Sequence, residues 1–356
     1  MNACQSPHRY LSIALLAALL VACSSGAPAS APTAAPPAAP AASAVSGGTD
    51  PAAPLLKTRA AFTSFSASAA PWWMAMEGGY FQEQGLDVAL SQIAAGSPLL
   101  AAMHNGEVEL AFSGGPALVL GYLEGLETVI LGSTSNGLDI ILFVRPELQT
   151  VDDVRGKTIG AGRPKSVTDI AARLALPRIG LQPDVDVFIG VTGGLPESLA
   201  ALEAGTLDGA ALNVPMVFEA RKRGFRELLS LSELRIAFMN SAIGATRKVL
   251  NDRPELPERY LRALAQAVSR LKTDREAAIG VVGKYNQSDD RELLGPTVDY
   301  YRALWMTDPY PDAAAVQTIL DIEEHPAART TRPQDVIDYR FAERLRGSGF
   351  LDQLAR

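Results

Sequence analysis

The chain has 356 residues, 47% hydrophobic and 20% charged, which is the composition of a globular protein able to bury a sizeable core. Its net charge is −7, and its lysines and arginines are scattered, which excludes the basic patch that a nucleic-acid partner requires. Its two cysteines are Cys4 and Cys23, so the sequence beyond them has no disulfide, thiol nucleophile or cysteine metal site.

Residues 1–22 have the pattern of an export signal. His8 and Arg9 precede the apolar run Leu11–Ala22, which at 12 residues is shorter than the roughly 20 that span a bilayer as a helix. The run ends in Leu-Val-Ala-Cys, which resembles the bacterial lipobox. That resemblance implies that Cys23 becomes the first mature residue and carries lipid, for example palmitate, that anchors the protein to the extracytoplasmic face of the cell membrane. A secretory signal with a chance cysteine is the alternative.

Residues 23–55 are predicted to form a disordered tether. From Ser24 to Pro54 the chain is almost entirely alanine, proline, serine, glycine and threonine, and Asp50 is the one charged residue. Such a segment cannot bury enough apolar surface to offset the entropy lost on ordering. The folded part of the protein would therefore stand away from the membrane.

From Arg59 onward, short apolar segments alternate with helical ones, which predicts a parallel sheet covered by helices on both faces. The first unit has predicted strands at Arg59–Ser66, Leu86–Leu90, Val108–Phe112 and Thr128–Leu131, and predicted helices at Pro71–Gln84, Gly96–Met103 and Ala117–Glu124. The second has predicted strands at Thr158–Ala161, Val185–Ile189 and Gly209–Leu212, and predicted helices at Ser166–Leu176, Glu197–Ala204 and Val217–Arg223. Ile236–Ala245 is expected to be extended, and the chain from Pro254 onward is expected to be chiefly helical.

Four segments of the chain carry a family resemblance. They are PWWMAMEGGYFQEQGLDV at residues 71–88, LAAMHNGEVE at 100–109, VRGKTIG at 154–160 and LEAGTLDGA at 202–210, with Pro215 following the last. In this order and spacing they resemble ABC-transporter substrate-binding proteins of the sulfonate, nitrate and thiamine-precursor group. The similarity extends from about Arg59 to Glu255.

The resemblance implies an α/β, periplasmic-binding-protein-like fold of two α/β lobes with two interlobe crossovers. We expect the crossovers near Phe143–Arg145 and Arg235–Ala237, so that residues 56–144 and 238–356 form lobe 1 and residues 145–237 form lobe 2. A small-molecule ligand would bind in the interlobe cleft, and lobe closure would present it to an ABC permease and its ATPase complex. The protein would act as a monomer.

Candidate ligand-binding residues follow from the rule that open α/β sheets bind ligands beyond the carboxyl ends of their strands. They are Phe65, Trp72, Trp73, Ser97, Ser113, Gly114, Asn136, Asp139, Ser166, Thr168 and Asn213. Glycine lets the backbone approach a ligand closely, whereas a serine or threonine before a helix can equally cap that helix. Adjacent helical positions point about 100° apart, so we expect one of Trp72 and Trp73 to pack and the other to line the cleft. Many members of the family have an aromatic and an acidic residue before the proline, where this chain has Asn213 and Val214.

Two ligand classes remain open. Helix N-termini near Ser97 and Ser166, together with Arg163 and Lys165, suit a sulfonate or nitrate. The tryptophans and the small uncharged residues suit an aromatic heterocycle, such as a pyrimidine thiamine precursor or riboflavin. We favour the heterocycle.

An enzyme is the main alternative to a binding protein, because a pyrimidine-synthase-like branch of the same fold exists. The resemblance implies that this branch uses a histidine and iron held near clustered cysteines. Here His104 and His325 are the histidines beyond the signal, and no cysteine follows Cys23. We therefore predict a binding protein with no catalytic residues, cofactor or metal. A sensor or an efflux system in place of an importer remains an open partner.

Overall fold

The computed structural model describes residues 54–234 and 236–355. The predicted signal peptide, the predicted lipidation residue Cys23 and the predicted tether up to residue 53 lie outside the described residues. Within the described part, no helix is both long and apolar enough to cross a membrane.

The described chain forms ten strands in two five-stranded sheets. The strands are β1 (Leu56–Phe62), β2 (Leu86–Gln92), β3 (Leu110–Ser113), β4 (Thr128–Ser135), β5 (Ile141–Val144), β6 (Thr158–Gly160), β7 (Phe188–Gly190), β8 (Gly209–Leu212), β9 (Arg226–Ser230) and β10 (Ser241–Thr246). The first sheet has the order β2-β1-β3-β10-β4, and the second has the order β7-β6-β8-β5-β9.

Each sheet is mixed, which corrects the predicted parallel sheet. Strand β10 is antiparallel to both β3 and β4, and β5 is antiparallel to both β8 and β9. The remaining neighbours are parallel. The two antiparallel strands are those that enter a sheet after the chain has crossed from the other one, so they run against their neighbours. The predicted fold class, two α/β lobes with two crossovers, is confirmed.

The chain passes from the first sheet to the second between β4 and β5, and it returns between β9 and β10. We call residues 136–140 the first crossover segment and residues 231–240, without residue 235, the second. Phe143 and Val144 were expected at the first crossing, but they belong to β5 of the second sheet. The lobe boundaries stay a proposal, and this pairing places the first of them before Ile141.

The helices cover the sheets and fill the carboxyl-terminal third of the chain. They are α1 (Ala70–Glu77), α2 (Tyr80–Glu83), α3 (Ser97–His104), α4 (Gly115–Leu123), α5 (Val167–Ala175), α6 (Leu195–Glu203), α7 (Met216–Lys222), α8 (Arg247–Asp252), α9 (Leu256–Thr273), α10 (Arg275–Asn286), α11 (Arg291–Leu304), α12 (Ala313–Ile322), α13 (Pro333–Val336), α14 (Arg340–Gly347) and α15 (Phe350–Leu354). The single helix predicted over Pro71–Gln84 is divided, because Gly79 adopts a left-handed conformation with φ of 73°.

Helix α1 is enclosed by the first sheet and by α9 and α10. Trp72 stacks on Phe112 of β3 with ring centroids 4.0 Å apart, and Trp73 stacks on Tyr285 of α10 at 4.8 Å. Both tryptophans are fully buried. Each aromatic contact contributes about 0.5–1.5 kcal/mol beyond the burial of its area, so this layer fixes the start of α1 against the sheet.

Candidate ligand-binding site

The two lobes touch where one helix of each begins. Helix α4 begins after Gly114, at the end of β3, and helix α5 begins after its N-cap Ser166. A Cβ atom built on Gly114 would lie 2.9 Å from Val167 Cγ2, so the two helix starts are in direct contact. The loop before α5 also reaches across, because Lys165 Nζ lies 3.1 Å from Glu323 Oε1 beyond α12.

A cavity of about 290 Å³ lies between the two crossover segments and helix α11. We call it the crossover cavity. Its lining residues are Ser135, Asn136, Gly137, Leu138, Asp139, Leu231, Ser232, Ile236, Ala237, Asn240, Tyr300 and Leu304. Two predicted site residues, Asn136 and Asp139, therefore line the cavity together. None of the described residues in its lining is a lysine or an arginine.

Asp139 is the buried carboxylate of this cavity, with 5% of its surface exposed. Its Oδ1 accepts a hydrogen bond from Asn240 Nδ2 at 2.7 Å, and its Oδ2 accepts one from Tyr301 Oη at 2.8 Å. Ser66 Oγ lies 3.2 Å from the same Tyr301 hydroxyl. Burial raises the pKa of the Asp139 carboxyl above its ordinary value of 3.8, because the hydrogen bonds from Tyr301 and Asn240 offset only part of the lost hydration.

Three further predicted residues present buried polar atoms that have no hydrogen-bond partner among the described residues: Ser113 Oγ, Asn136 Oδ1 and Asn213 Oδ1. Ser113 ends β3, Asn136 follows β4 and Asn213 follows β8. Because Leu212 pairs with Ile141, Asn213 lies beside the end of the first crossover segment. Buried polar groups are almost always hydrogen-bonded, so unpartnered atoms at three strand ends mark a place where a solute could supply the partners.

Phe65 is half-exposed, and it is not among the residues that line the crossover cavity. It is 50% exposed, meets Phe62 edge-on at 5.1 Å between ring centroids and stacks on Trp73 at 6.3 Å. The prediction that one of Trp72 and Trp73 lines the cleft is wrong. Helices α9 and α10, distant in sequence, cover the face of α1 that the first sheet leaves open, so both indoles are buried.

The predicted hydroxyl groups of the second lobe serve their own helix. Ser166 Oγ accepts a hydrogen bond from Asp169 N, and Thr168 Oγ1 donates to Ala161 O at 2.8 Å. The two hydroxyls are also 3.0 Å from each other. Ser97 is exposed as the first residue of α3, where the N-cap position belongs to Gly96.

Asn240 and Tyr301 were not predicted as site residues. Each reaches Asp139 from far along the chain, across 101 and 162 positions respectively. Asn240 lies in the middle of the predicted extended stretch Ile236–Ala245, whereas in the structure it directly precedes β10, so the prediction did not place it at a strand end. Tyr301 lies in a helix whose place against the crossover segments no local pattern reveals.

Among the described residues, no group of three or more histidine, cysteine, aspartate or glutamate side chains is placed to hold a metal ion. His325 Nδ1 accepts a hydrogen bond from Ala327 N and so caps a short turn.

Solved structures of periplasmic binding proteins share this architecture. A protein from Bordetella bronchiseptica RB50 superposes with a TM-score of 0.71 at 17% identity, covering 82% of this chain and 97% of its own. The alkanesulfonate-binding protein SsuA from Xanthomonas axonopodis pv. citri, bound to MOPS, gives 0.65 at 18% identity, with 81% and 100% covered. The nitrate-binding protein NrtA from Synechocystis PCC 6803 gives 0.66 at 14% identity, with 83% and 88% covered. At these identities the likeness shows the fold.

The structural likeness shows the fold, and the sequence shows the family. Residues 60–282 match the sequence model of the NMT1-like family, which is more than half of the chain, and the protein belongs to that family. The comparison with curated proteins gave no significant match. The resemblance noted in the four sequence segments is thus confirmed at the level of the family.

Proposed function

We propose that the protein is an extracytoplasmic solute-binding lipoprotein of an ABC import system. It would be anchored through lipid on Cys23, capture a small organic solute between its lobes as a monomer, and deliver that solute to a permease and its ATPase. The family and the periplasmic-binding-protein fold support this role, as do two structural neighbours, the alkanesulfonate-binding protein SsuA and the nitrate-binding protein NrtA.

The crossover cavity is the observation that carries the proposal. It lies where the two lobes are connected, so a solute bound there contacts both crossover segments at once. Its polar side chains include two acceptors, the Asp139 carboxylate and the unpartnered Asn136 Oδ1, beside the hydroxyl groups of Ser135, Ser232 and Tyr300. A site of this kind can recognise a solute and report its presence to both lobes.

The geometry supports an aromatic heterocycle better than an anion. Acceptor oxygens suit the N–H groups of a ring, and Tyr300 supplies an aromatic ring in the lining of the crossover cavity. Lys165 is the positively charged residue closest in sequence to Val167, where the lobes touch, and it is paired with Glu323. A buried carboxylate would also repel a sulfonate or nitrate.

A sulfonate or nitrate remains the second candidate ligand because of one observation. The N-termini of α4 and α5 meet at Gly114 and Val167, and helix N-termini favour anions. An enzyme is not favoured, although a structure of DszB in complex with biphenyl-2-sulfinic acid shares the fold with a TM-score of 0.64 at 16% identity. The described residues show no nucleophile and base in contact at the cavity.

Tryptophan emission tests the proposal, because Trp305 stacks on Tyr301, whose hydroxyl donates to Asp139 of the crossover cavity. The purified protein is titrated with a hydroxymethylpyrimidine, riboflavin, taurine and nitrate, and each sample is then assayed for chemical change of the solute. We expect saturable binding of an aromatic member without turnover. Tyr300→Ala should weaken that binding by about three- to tenfold, the equivalent of ~0.5–1.5 kcal/mol for a stacking contact.

Phe188→Ala is the matched control, since Phe188 is 53% exposed on the edge strand β7 of the second sheet. It should leave the affinity unchanged. Binding of taurine or nitrate alone would select the second ligand class, and turnover of any solute would replace the binding protein with an enzyme.

A further inference from the structure

Lys165 has a backbone conformation that lysine rarely adopts. Its φ is 63°, in the left-handed region that favours glycine. It is the third residue of a turn in which Ser166 N donates a hydrogen bond to Arg163 O at 3.0 Å and Pro164 is the second residue. This is the pattern of a type II turn, whose third position is usually glycine or asparagine. The turn by itself therefore gives no reason for a lysine at position 165.

The second lobe holds the backbone of Lys165 in place. Lys165 N donates a hydrogen bond to Asp169 Oδ2 at 2.8 Å, and the other oxygen of this buried carboxylate pairs with Arg173 in α5. The backbone of residue 165 is thus fixed to the first turn of α5. Its side chain, by contrast, extends away from the second lobe and reaches Glu323.

The first lobe holds the acceptor in the same way. Glu323 follows α12, which packs against the start of α4, where a Cβ atom built on Gly115 would lie 2.8 Å from Ile319 Cδ1. The Glu323 side chain is only 10% exposed. Its Oε1 accepts a hydrogen bond from His325 N at 3.1 Å and lies 3.1 Å from Lys165 Nζ. Each charge of this interlobe ion pair is therefore positioned by its own lobe before the two meet.

We propose that the interlobe ion pair of Lys165 with Glu323 stabilises the closed arrangement of the lobes. This inference rests on the proposed function, in which the lobes part to admit a solute and close around it. When the lobes part, the pair separates and both charges return to water, so the pair favours closure without contacting the solute. A pair in which one partner is exposed can shift such an equilibrium by up to about fivefold. The lysine at a position that favours glycine then serves the reach of its side chain.

The test needs no solute, because it measures the lobes directly. X-ray scattering and urea unfolding are recorded for the full-length wild type, Lys165→Gln and Lys165→Gly, in about 0.01 M and about 1 M salt, where the screening length falls from about 30 Å to about 3 Å. We expect both variants to have a larger radius of gyration than the wild type in low salt, and the same radius in high salt. Lys165→Gly should unfold at a higher urea concentration than Lys165→Gln, because only glycine relieves the left-handed backbone.

Two further variants separate the ion pair from a general effect of charge. Arg163→Gln removes an exposed positive charge from the same turn and should leave the scattering unchanged. Glu323→Gln should open the lobes as Lys165→Gln does, and the double variant should open them no further. Where a solute binds the wild type, Lys165→Gln should weaken that binding by about two- to fivefold in low salt.

The outcomes distinguish this inference from the proposed function. Identical scattering of the wild type, Lys165→Gln and Lys165→Gly in low salt overturns the role of the ion pair, and solute binding by the wild type would still support the proposed function. Equal opening of Arg163→Gln, or additive opening in the double variant, likewise rejects the pair. Failure of the wild type to bind hydroxymethylpyrimidine, riboflavin, taurine or nitrate counts against the proposed function, and the scattering then decides on the ion pair.

Discussion

Glu109 connects three parts of the first lobe at a distance from the crossover cavity. It accepts hydrogen bonds from Thr58 Oγ1 at 2.9 Å and from Arg59 N at 3.1 Å, and it pairs with Arg253 after α8. Burial alone would raise its pKa, but the hydrogen bonds from Arg253, Arg59 and Thr58 outweigh burial and lower it below the ordinary value of 4.5. The charged form is therefore the one that the fold stabilises.

Glu109→Gln should remove part of the acid sensitivity of folding. The lowered pKa means that the stabilisation by Glu109 is present in full above pH 4.5 and is lost as the pH falls through the folded-state pKa. We expect the variant to be less stable at neutral pH by about 1–2 kcal/mol, since it leaves Arg253 without its charged partner, and to lose less stability on acidification. Urea unfolding at a series of pH values measures both.

Glu107→Gln provides the control, because Glu107 is an exposed carboxylate two positions away. An acid dependence of Glu109→Gln identical to that of the wild type would contradict the assigned role of the ion pair.

Part of the candidate site could be predicted from single residues. Ser113, Asn136 and Asn213 follow short apolar strands, and the strand-end rule alone indicated them. The burial of both Trp72 and Trp73 could not be predicted, because the helices that cover them lie more than 180 residues further along the chain. Local sequence tells which side chains a sheet edge presents, and it says nothing of what later folds over them.

Elements were predictable where they lie inside one βα unit. Strand β8 and helix α5 with its Ser166 cap lie where the alternation places them. Strand β5 was mistaken for a crossing and β9 was not predicted. The two strands pair with each other within the second sheet from opposite ends of its sequence, and a local pattern does not contain such a remote pairing.

Helix α10 contains two glycines with opposite expectations. A Cβ on Gly280 would meet nothing within 4 Å, whereas one on Gly283 would lie 2.7 Å from Ser288 O and 3.0 Å from Leu294 Cδ1. Gly280→Ala should stabilise the protein by up to about 1 kcal/mol, because alanine loses less backbone entropy in a helix. Gly283→Ala should destabilise it by about 1–3 kcal/mol, because the backbone oxygen cannot move aside cheaply.

Thermal and urea unfolding of the two variants measure these effects side by side. Since both changes are glycine to alanine in the same helix, helix propensity is matched and the difference isolates packing. Stabilisation by both substitutions would show that α10 and α11 do not pack as described.

At the scale of the whole molecule, two contacts among the described residues join the lobes near the helix starts. They are the close approach of Gly114 to Val167 and the ion pair of Lys165 with Glu323. An ion pair this exposed contributes at most about 1 kcal/mol. The lobes can approach this closely because residue 114 is a glycine, which has no side chain to collide with Val167.

Gly114→Val should keep the lobes apart. Its side chain would need the space that Val167 Cγ2 occupies, and the β-branched Val167 has little freedom to turn away. We expect a larger radius of gyration by X-ray scattering and about tenfold weaker solute binding, the equivalent of ~1.4 kcal/mol. The double variant with Val167→Ala should recover part of the compactness and part of the solute affinity. Unchanged scattering in the single variant would contradict the requirement for glycine at position 114.

The two crossover segments are hydrogen-bonded to each other at the crossover cavity. Gly137 N donates to Phe238 O at 2.7 Å, and Asn240 donates to Asp139 from the opposite segment. A solute group that binds Asp139 therefore lies close to the axis about which the lobes would rotate in a hinge motion. A small displacement near this axis therefore becomes a larger displacement in the parts of each lobe that lie farthest from it.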